Sequence, residues 1–261
     1  MKFKLKMWLL IISITSMVFS INILLRAEIV PTIEVMPRYA AAKCEEQSPF
    51  AVFLQVTGLE PGATDYTFTM RIAGNYGSFT TTSYGSFNTN YKELGIPHVD
   101  GTVRLWVYLR SSKSNPEPGV YNLRLRIKKD DDEISGSPWD LPGPELLDMS
   151  NTGKGAWVHA NTIFAEPGKV VLAFDSDDQI IGTYVIEDNG LSEGYPSTQG
   201  YFKIAVPANT PIPKLELRDA DNTSFDTKTN DSWWSGVAGS ETNLDDQQPP
   251  NELIVTTIPE I

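Results

Sequence analysis

Cysteine and histidine are almost absent from this chain. Its 261 residues include one cysteine, Cys44, and two histidines, His98 and His159. A chain with this inventory lacks the ligands for a zinc site of the usual His/Cys type, and it forms no internal disulfide. No serine lies in a Gly-x-Ser-x-Gly motif, and the chain has no Walker-type or Rossmann glycine loop. We therefore interpret both histidines as structural or surface residues rather than catalytic bases.

Basic residues are also scarce relative to acidic ones. The chain has 21 Lys and Arg against 33 Asp and Glu, which gives a formal net charge of −12. Without residues 1–27, which hold four basic residues and no acidic one, the formal charge changes to −16. A net negative charge of this size repels phosphate backbones, so nucleic acid is a poor partner for this protein.

The first 27 residues have the pattern of an export signal. Three lysines at positions 2, 4 and 6 precede an uncharged run over residues 7–25, and Ala27 offers a small-residue cleavage site before Glu28. This pattern predicts a signal peptide and a protein that is secreted or held at the cell surface. The alternative is an uncleaved membrane anchor formed by residues 7–25, because about 20 residues suffice to span a bilayer. Serine, threonine and asparagine within the run favour cleavage.

The mature sequence has the pattern of β-strands and lacks a sustained helical apolar face. Residues 50–56 form an apolar run, and residues 66–72, 103–109 and 121–127 alternate between apolar and polar positions. Short strands separated by Pro-Gly turns are typical of a β-sandwich. We predict an all-β first domain over residues 28–136.

A second domain is predicted after a segment rich in proline and glycine, residues 137–144, which we interpret as a linker. Beyond it the strand pattern resumes at residues 169–174, 180–186, 201–206 and 215–217. The second all-β domain therefore covers residues 145–261, and its C-terminal segment is expected to be exposed.

Two short motifs in the second half resemble those of lamin-tail domains found in exported prokaryotic proteins. The first is the sequence Pro-Gly-Lys-Val-Val-Leu at residues 167–172. The second is Leu-Glu-Leu-Arg-Asp-Ala-Asp-Asn at residues 215–222, followed by Phe225-Asp226 and Trp233-Trp234. Asn222 stands where that family usually has glycine. The first half resembles the Ig-like domains that accompany lamin tails, so the resemblance implies two Ig-like β-sandwiches with a binding or structural role.

The most site-like surface predicted from the sequence combines aromatic and arginine side chains. We predict that residues 103–109 and 121–127 are antiparallel neighbours with Val103, Leu105, Leu123 and Leu125 facing the core, so that their other positions form one outward face. Tyrosines from residues 76–91 are expected beside it. Such residues dominate binding hot spots. The predicted face comprises Arg104, Trp106, Tyr108, Arg110, Arg124, Arg126, Tyr76 and Tyr84. In the alternative interpretation, Trp106 and Tyr108 pack beneath the second domain or beneath the loop that contains residues 76–91.

Acidic turns are the candidate metal ligands. Hard carboxylate oxygens suit calcium, and two turns supply them: Asp175, Asp177 and Asp178 in the first, and Asp219, Asp221 and Asp226 in the second. Neither turn has EF-hand spacing, and aspartate is common in turns without metal because it hydrogen-bonds its own backbone. No cofactor other than calcium is expected.

These observations favour an exported, non-catalytic protein that binds an extracellular protein or a glycan in adhesion, envelope association or extracellular assembly. One alternative is a carbohydrate-binding module that uses the aromatic and arginine face. A second alternative is a glycoside hydrolase or another hydrolase that uses paired carboxylates.

The export pattern generates a direct prediction. N-terminal sequencing of the native protein is expected to give Glu28 as the first residue, because signal peptidase cleaves after a small residue such as Ala27. Recovery of an intact N-terminus from the membrane fraction would instead establish residues 7–25 as an anchor.

Overall fold

The computed structural model describes residues 28–42, 50–63, 65–73, 83–90, 100–109, 117–164, 169–186, 199–219, 221–230 and 233–247. Regular structure in these residues is almost entirely β-strand, which confirms the predicted all-β class. None of their helical segments is long and apolar enough to cross a membrane.

The first half of the chain forms strands β1 to β11. Their bounds are β1 Val30–Val35, β2 Tyr39–Ala41, β3 Phe50–Thr57, β4 Tyr66–Ala73, β5 Ser83–Asn90, β6 Val103–Leu109, β7 Gly119–Val120, β8 Asn122–Lys129, β9 Asp132–Glu133, β10 Trp139–Leu141 and β11 Glu145–Leu147.

The second half forms strands β12 to β18 and a short 3₁₀ helix. Their bounds are β12 Gly155–Phe164, β13 Val170–Phe174, β14 Ile180–Val185, β15 Gln199–Pro207, β16 Lys214–Arg218, β17 Ser224–Thr229, β18 Glu241–Asn243 and the 3₁₀ helix Leu244–Gln247.

Four main sheets are stacked face to face. Sheet 1 has the strand order β10-β8-β4-β5, with β9 also paired to β8, and sheet 2 has the order β1-β3-β6. Sheet 3 has the order β14-β13-β16-β17, and sheet 4 has the order β15-β12-β18. A small sheet, β2-β11-β7, includes a parallel pairing of β2 with β11, and its residues Tyr39, Ala41 and Leu147 pack with Trp157 and Ala205 of the second half. Sheets 1 and 2 form the first sandwich, and sheets 3 and 4 form the second.

Alternation along the strands places the two cores as the sequence predicts. In the first sandwich, Val103 and Leu105 of β6 pack with Leu123 and Leu125 of β8, all of them buried. In the second sandwich, Val171 of β13 packs in a core shared by sheets 3 and 4. A one-residue slip would bury arginines instead of these leucines and valines, which is why this register is strongly specified.

The predicted pairing of residues 103–109 with residues 121–127 is wrong. Strand β6 pairs with β3, whereas β8 pairs with β4, β10 and β9. The two strands therefore belong to opposite sheets and meet across the core. Alternation determines which side chains face inward, but it does not determine which strand lies alongside, so it could not distinguish these arrangements.

Strands β3 of sheet 2 and β13 of sheet 3 are buried on both faces, because the two sandwiches pack against each other. Phe53 of β3 and Leu172 of β13 belong to a third apolar cluster, together with Ala51 and Phe174. Their strands read as nearly continuous apolar runs, the pattern of a strand covered on both sides. The contact makes the four sheets a continuous stack.

One buried hydroxyl links the two sandwiches. The Ala51 N–H donates to Thr183 Oγ1 at 2.7 Å, and the same hydroxyl donates to the Ala51 carbonyl oxygen at 2.8 Å. Strand β1 pairs with β3 only as far as Phe53, and Thr183 satisfies the backbone of Ala51 beyond that point. Both residues are buried.

The segment 137–144 is not an extended linker. Trp139–Leu141 forms β10, which pairs antiparallel with residues 123–125 of β8 as the edge strand of sheet 1. We predicted a domain boundary here because proline and glycine are frequent in this segment. The prolines and glycines instead form turns on either side of the short strand β10. The exact domain boundaries remain a prediction.

The link between the sandwiches generates a stability prediction. Thr183→Val keeps the shape of the side chain but leaves the buried N–H and C=O of Ala51 unpaired. We expect the free energy of unfolding in urea to fall by about 2–6 kcal/mol, since each of the two unsatisfied buried groups costs about 1–3 kcal/mol. The control is Thr227→Val at an exposed position of β17. Equal stability of the two variants would contradict the assigned role.

Candidate functional site

A groove of about 1050 Å³ opens at one end of the first sandwich. It lies where β3 and β8 end and where β1, β4, β6 and β10 begin, as the antiparallel pairing of these strands requires. Its lining comprises Glu28, Ile29, Thr57, Gly58, Leu59, Glu60, Pro61, Tyr66, Asp100, Thr102, Lys129, Ile134, Ser135, Gly136 and Trp139. The groove combines one indole, one phenol and several charged groups.

Lys129 organises the charged side of the groove. Its ammonium group pairs with Glu60 and lies 3.8 Å from the Asp65 carboxylate. It also lies 5.6 Å from the centre of the Tyr66 ring, a cation–π geometry. The hydrogen bond to Glu60 raises the pKa of Lys129. The lysine is therefore held by groups of the protein itself.

Tyr66 connects this charged side to the core. Its ring is buried in the first sandwich, and its hydroxyl accepts the Glu60 N–H at 3.2 Å. The turn that carries Glu60 is thereby fixed relative to β4. The groove has a rigid base because its polar groups are tied to core residues.

Trp139 forms a wall of the groove and was missed by the sequence interpretation. The indole is half-buried and packs against the first core. Gly136, at φ +90°, lies directly against the ring, and a Cβ there would come within 3.1 Å of Trp139 Cζ2. The sequence did contain a signal that this segment is packed. Its tryptophan lies among prolines, glycines and serines, and a flexible linker rarely contains a large apolar side chain.

A bidentate ion pair fixes the strand that carries Trp139. Arg124 Nε and Nη2 donate to the two carboxylate oxygens of Asp140 at 2.6 and 2.7 Å. The guanidinium lowers the pKa of Asp140, and the carboxylate raises the pKa of Arg124 through the same hydrogen bonds. The pair joins β8 to β10 outside the core. Because Asp140 directly follows Trp139 in β10, the pair also restricts the position of Trp139.

The predicted aromatic and arginine face does not form one surface. Trp106 and Arg104 lie on sheet 2, whereas Arg124 and Arg126 project from the outer side of sheet 1, because β6 and β8 are in different sheets. Arg104 pairs with Glu34 at 2.7 Å.

Trp106 contacts the second sandwich. Its indole Nε1 donates to the Asp219 carbonyl oxygen at 2.8 Å, and its ring centre lies 5.0 Å from that of Phe53. This is the alternative in which the tryptophan packs beneath the second domain. Tyr76, Arg110 and the side chains of Tyr84 and Tyr108 lie outside the described residues.

The two acidic turns predicted as calcium sites are organised by their own backbone. Asp175 Oδ1 accepts the N–H groups of Asp177 and Gln179, and Asp219 Oδ1 accepts those of Asp221 and Thr223. Aspartate commonly stabilises turns in this way.

Other carboxylates of these turns have local partners as well. Asp178 pairs with Lys214, and Asp226 Oδ1 accepts the Thr227 N–H at 2.7 Å. Within the described ranges, no group of three or more His, Cys, Asp or Glu residues is arranged to hold a metal ion. Calcium binding remains a prediction.

The second histidine lies on the outer side of sheet 4. His159 Nε2 is 3.7 Å from a Glu241 oxygen, and its ring centre is 5.8 Å from that of Tyr201. Glu241 also pairs with Lys203 at 2.9 Å. This arrangement fits a structural histidine in a charged cluster. His98 and Cys44 lie outside the described residues.

Comparison with known proteins gives distant structural similarities only. No family model matches the chain, and no curated protein matches it. A bacterial adhesin from Mobiluncus mulieris with intramolecular disulfide, isopeptide and ester cross-links is 7% identical over 73% of this chain and 79% of its own, with a TM-score of 0.27. A variant of BcpA, the major pilin subunit of Bacillus cereus, is 9% identical over 83% of this chain and 68% of its own, also with a TM-score of 0.27. Similarity at this level carries no argument about function.

The ion pair beside Trp139 predicts a pH dependence. Because Arg124 lowers the pKa of Asp140 in the folded protein, the carboxylate stabilises the fold above its unfolded pKa of about 3.9. That contribution is lost as the pH falls through the lower folded pKa. Asp140→Asn is expected to reduce the free energy of unfolding by about 0.5–1 kcal/mol at pH 7.

The control for this prediction is Glu117→Gln, which removes an exposed carboxylate away from the ion pair. Urea unfolding of both variants and the unchanged protein is compared at about pH 7 and about pH 2. The deficit of Asp140→Asn should shrink at the lower pH. A deficit of the same size at both pH values would contradict the assigned electrostatic cause.

Proposed function

We propose that this protein is exported and acts as a non-catalytic binding or structural protein in adhesion, envelope association or extracellular assembly. The observation that supports it most directly is the continuous stack of four sheets, in which two sandwiches share an apolar contact through Phe53 and Leu172. Such a stack presents its loops at fixed positions. That is what a protein needs when it must hold a partner at a surface rather than transform it.

The contact between the sandwiches supports mechanical rigidity. Trp106 and Thr183 add directed hydrogen bonds to the apolar cluster between sheets 2 and 3. The Arg38 N–H donates to the Ile180 carbonyl oxygen at 2.8 Å, a further bond between the halves. Inter-domain contacts that are both apolar and hydrogen-bonded restrict hinge motion. A rigid spacer of this kind transmits force between a cell and an attached surface.

The export pattern of residues 1–27 supports a location outside the cytoplasm, and the acidic composition suits a solvated extracellular surface. The partner is proposed to be an extracellular protein or a glycan. The lamin-tail resemblance of the second sandwich remains a prediction, and it points to the same class of role.

The hydrolase alternative has no specific observation in its favour. A general acid needs a carboxyl whose pKa is raised by its surroundings. Among the described residues, the carboxyl with a raised pKa is that of Asp130, which is exposed at the turn after β8 and is affected chiefly by the nearby charge of Asp65. An exposed turn does not exclude water or enclose a substrate.

Cell fractionation tests the proposed location. A C-terminally tagged protein produced in its native host is expected in the extracellular or envelope fraction, where protease added to intact cells degrades it. The matched control lacks residues 2–25 and should remain in the cytoplasm, protected from protease. Full-length protein that is recovered from the cytoplasm of intact cells would contradict the proposal.

A further inference from the structure

We propose that the groove at the end of the first sandwich binds an uncharged oligosaccharide, with a sugar ring stacked on Trp139 and its hydroxyl groups bonded to nearby carboxylates. This inference rests on the proposed binding role and assigns it a site and a ligand class. The site differs from the face predicted from the sequence, because Trp106 contacts the second sandwich.

The size of the groove fits a ligand of several sugar units. Sites for small molecules typically enclose about 300–1,000 Å³, and this groove measures about 1050 Å³. It is formed by strand ends and turns of a rigid sandwich, which is where binding residues are commonly positioned. A single monosaccharide would leave much of the groove unoccupied.

Trp139 is already held in position before a ligand binds. Its ring lies against Gly136, and its strand is joined to β8 by backbone pairing and by the ion pair of Asp140 with Arg124. A side chain that is fixed by the fold loses little conformational entropy on binding, which improves affinity. Tryptophan offers a large apolar surface to the apolar face of a sugar ring together with a polar N–H.

Carboxylates around the groove supply acceptors for hydroxyl groups. Glu28 is exposed at the rim, Glu60 is bound on one oxygen by Lys129, and Asp100 uses Oδ1 to accept the Thr102 N–H at 3.0 Å. Hydrogen bonds to ionised groups are stronger than those between neutral groups. Each of these carboxylates has a second oxygen available for a donor such as a sugar hydroxyl.

The charge of the lining selects against anionic ligands. In a mature chain that begins at Glu28, the three carboxylates of Glu28, Glu60 and Asp100 oppose two ammonium groups, those of Lys129 and of the N-terminus. The Lys129 ammonium is already paired with Glu60 and lies near Asp65. An anionic glycan would therefore meet a net negative site, and phosphate or uronic-acid ligands are disfavoured.

The same lining favours a glycan over a protein partner. Acidic residues and lysine are depleted at the centres of protein interfaces, where several aromatic and apolar groups usually cluster. The groove instead has three carboxylates beside the half-buried Trp139, and its other aromatic residue, Tyr66, is buried in the core. Hydroxyl-rich ligands match that distribution of acceptors.

The test uses the mature chain and a defined set of probes. Cellohexaose, chitohexaose, laminarihexaose and mannohexaose are the uncharged probes, and hexagalacturonic acid is the anionic one. Titration calorimetry is expected to show binding of at least one uncharged hexasaccharide and no binding of the anionic one. Trp139→Ala should weaken that binding roughly tenfold or more, as loss of a central aromatic contact does.

The chain offers a matched control for the tryptophan. Trp234 is exposed on the second sandwich, where its N–H donates to Gln247 Oε1 and its carbonyl oxygen accepts from Gln247 Nε2. Trp234→Ala should leave affinity unchanged within about twofold, the usual scatter for a residue outside a site. Because Trp139 contacts the core, Asp100→Asn provides a second variant at an exposed position. It keeps an oxygen that can accept the Thr102 N–H, and it should weaken binding several-fold without lowering the melting temperature.

Three outcomes would overturn the inference. These are the absence of binding to every uncharged probe, preference for hexagalacturonic acid, and equal affinity of the unchanged protein and a folded Trp139→Ala variant. Groove-dependent capture of an extracellular protein without any glycan binding would equally replace it with a protein partner. Fractionation distinguishes this failure from failure of the proposed function, because a surface protein that binds no glycan refutes the ligand class alone.

Discussion

Burial of strands β3 and β13 on both faces is the constraint on which the other features of this structure depend. Phe53 and Leu172 lie on faces that an isolated sandwich would expose to water. Separating the sandwiches would expose several such side chains, each worth about 1.5–3 kcal/mol, for a total on the order of 10 kcal/mol. That is comparable with the whole stability of a typical domain. The two sandwiches therefore fold and unfold as one cooperative unit, and the hydroxyl of Thr183 fixes how they are aligned.

This contact also determines where ligands can reach the first sandwich. The second sandwich covers the part of sheet 2 that carries Phe53 and Trp106, so Trp106 stabilises the contact between the sandwiches rather than binding a ligand. The outer face of sheet 1 carries Arg124 and Arg126, both of which pair with acidic residues of the same domain. A concave surface of this sandwich lies open at its end, where strands finish and turns begin.

Local patterns in the sequence predict the all-β class and most of the core, because alternation directly reports which side chains are buried. The same patterns failed for the partner of β6, since many strand orders share one alternation. They also failed for Trp139, whose short strand was hidden between prolines and glycines. The apolar runs of β3 and β13 did contain a signal of burial on both faces, but the surface covering each strand depends on contacts between residues more than a hundred positions apart, such as Ala51 and Thr183.

The groove combines residues that pack in the first core with exposed residues that do not. Its strands are fixed by the first core, which Tyr66 joins directly and against which Trp139 packs. The carboxylates, by contrast, lie on strand termini and turns that contribute little to that core. Changes among the carboxylates would alter which ligand is accepted while the stack of sheets remains intact. The stacked sheets provide stability, and the residues at the end of the first sandwich can vary without loss of that stability. This is the physical reason to expect ligand binding at Trp139 rather than on the broad faces of the sheets.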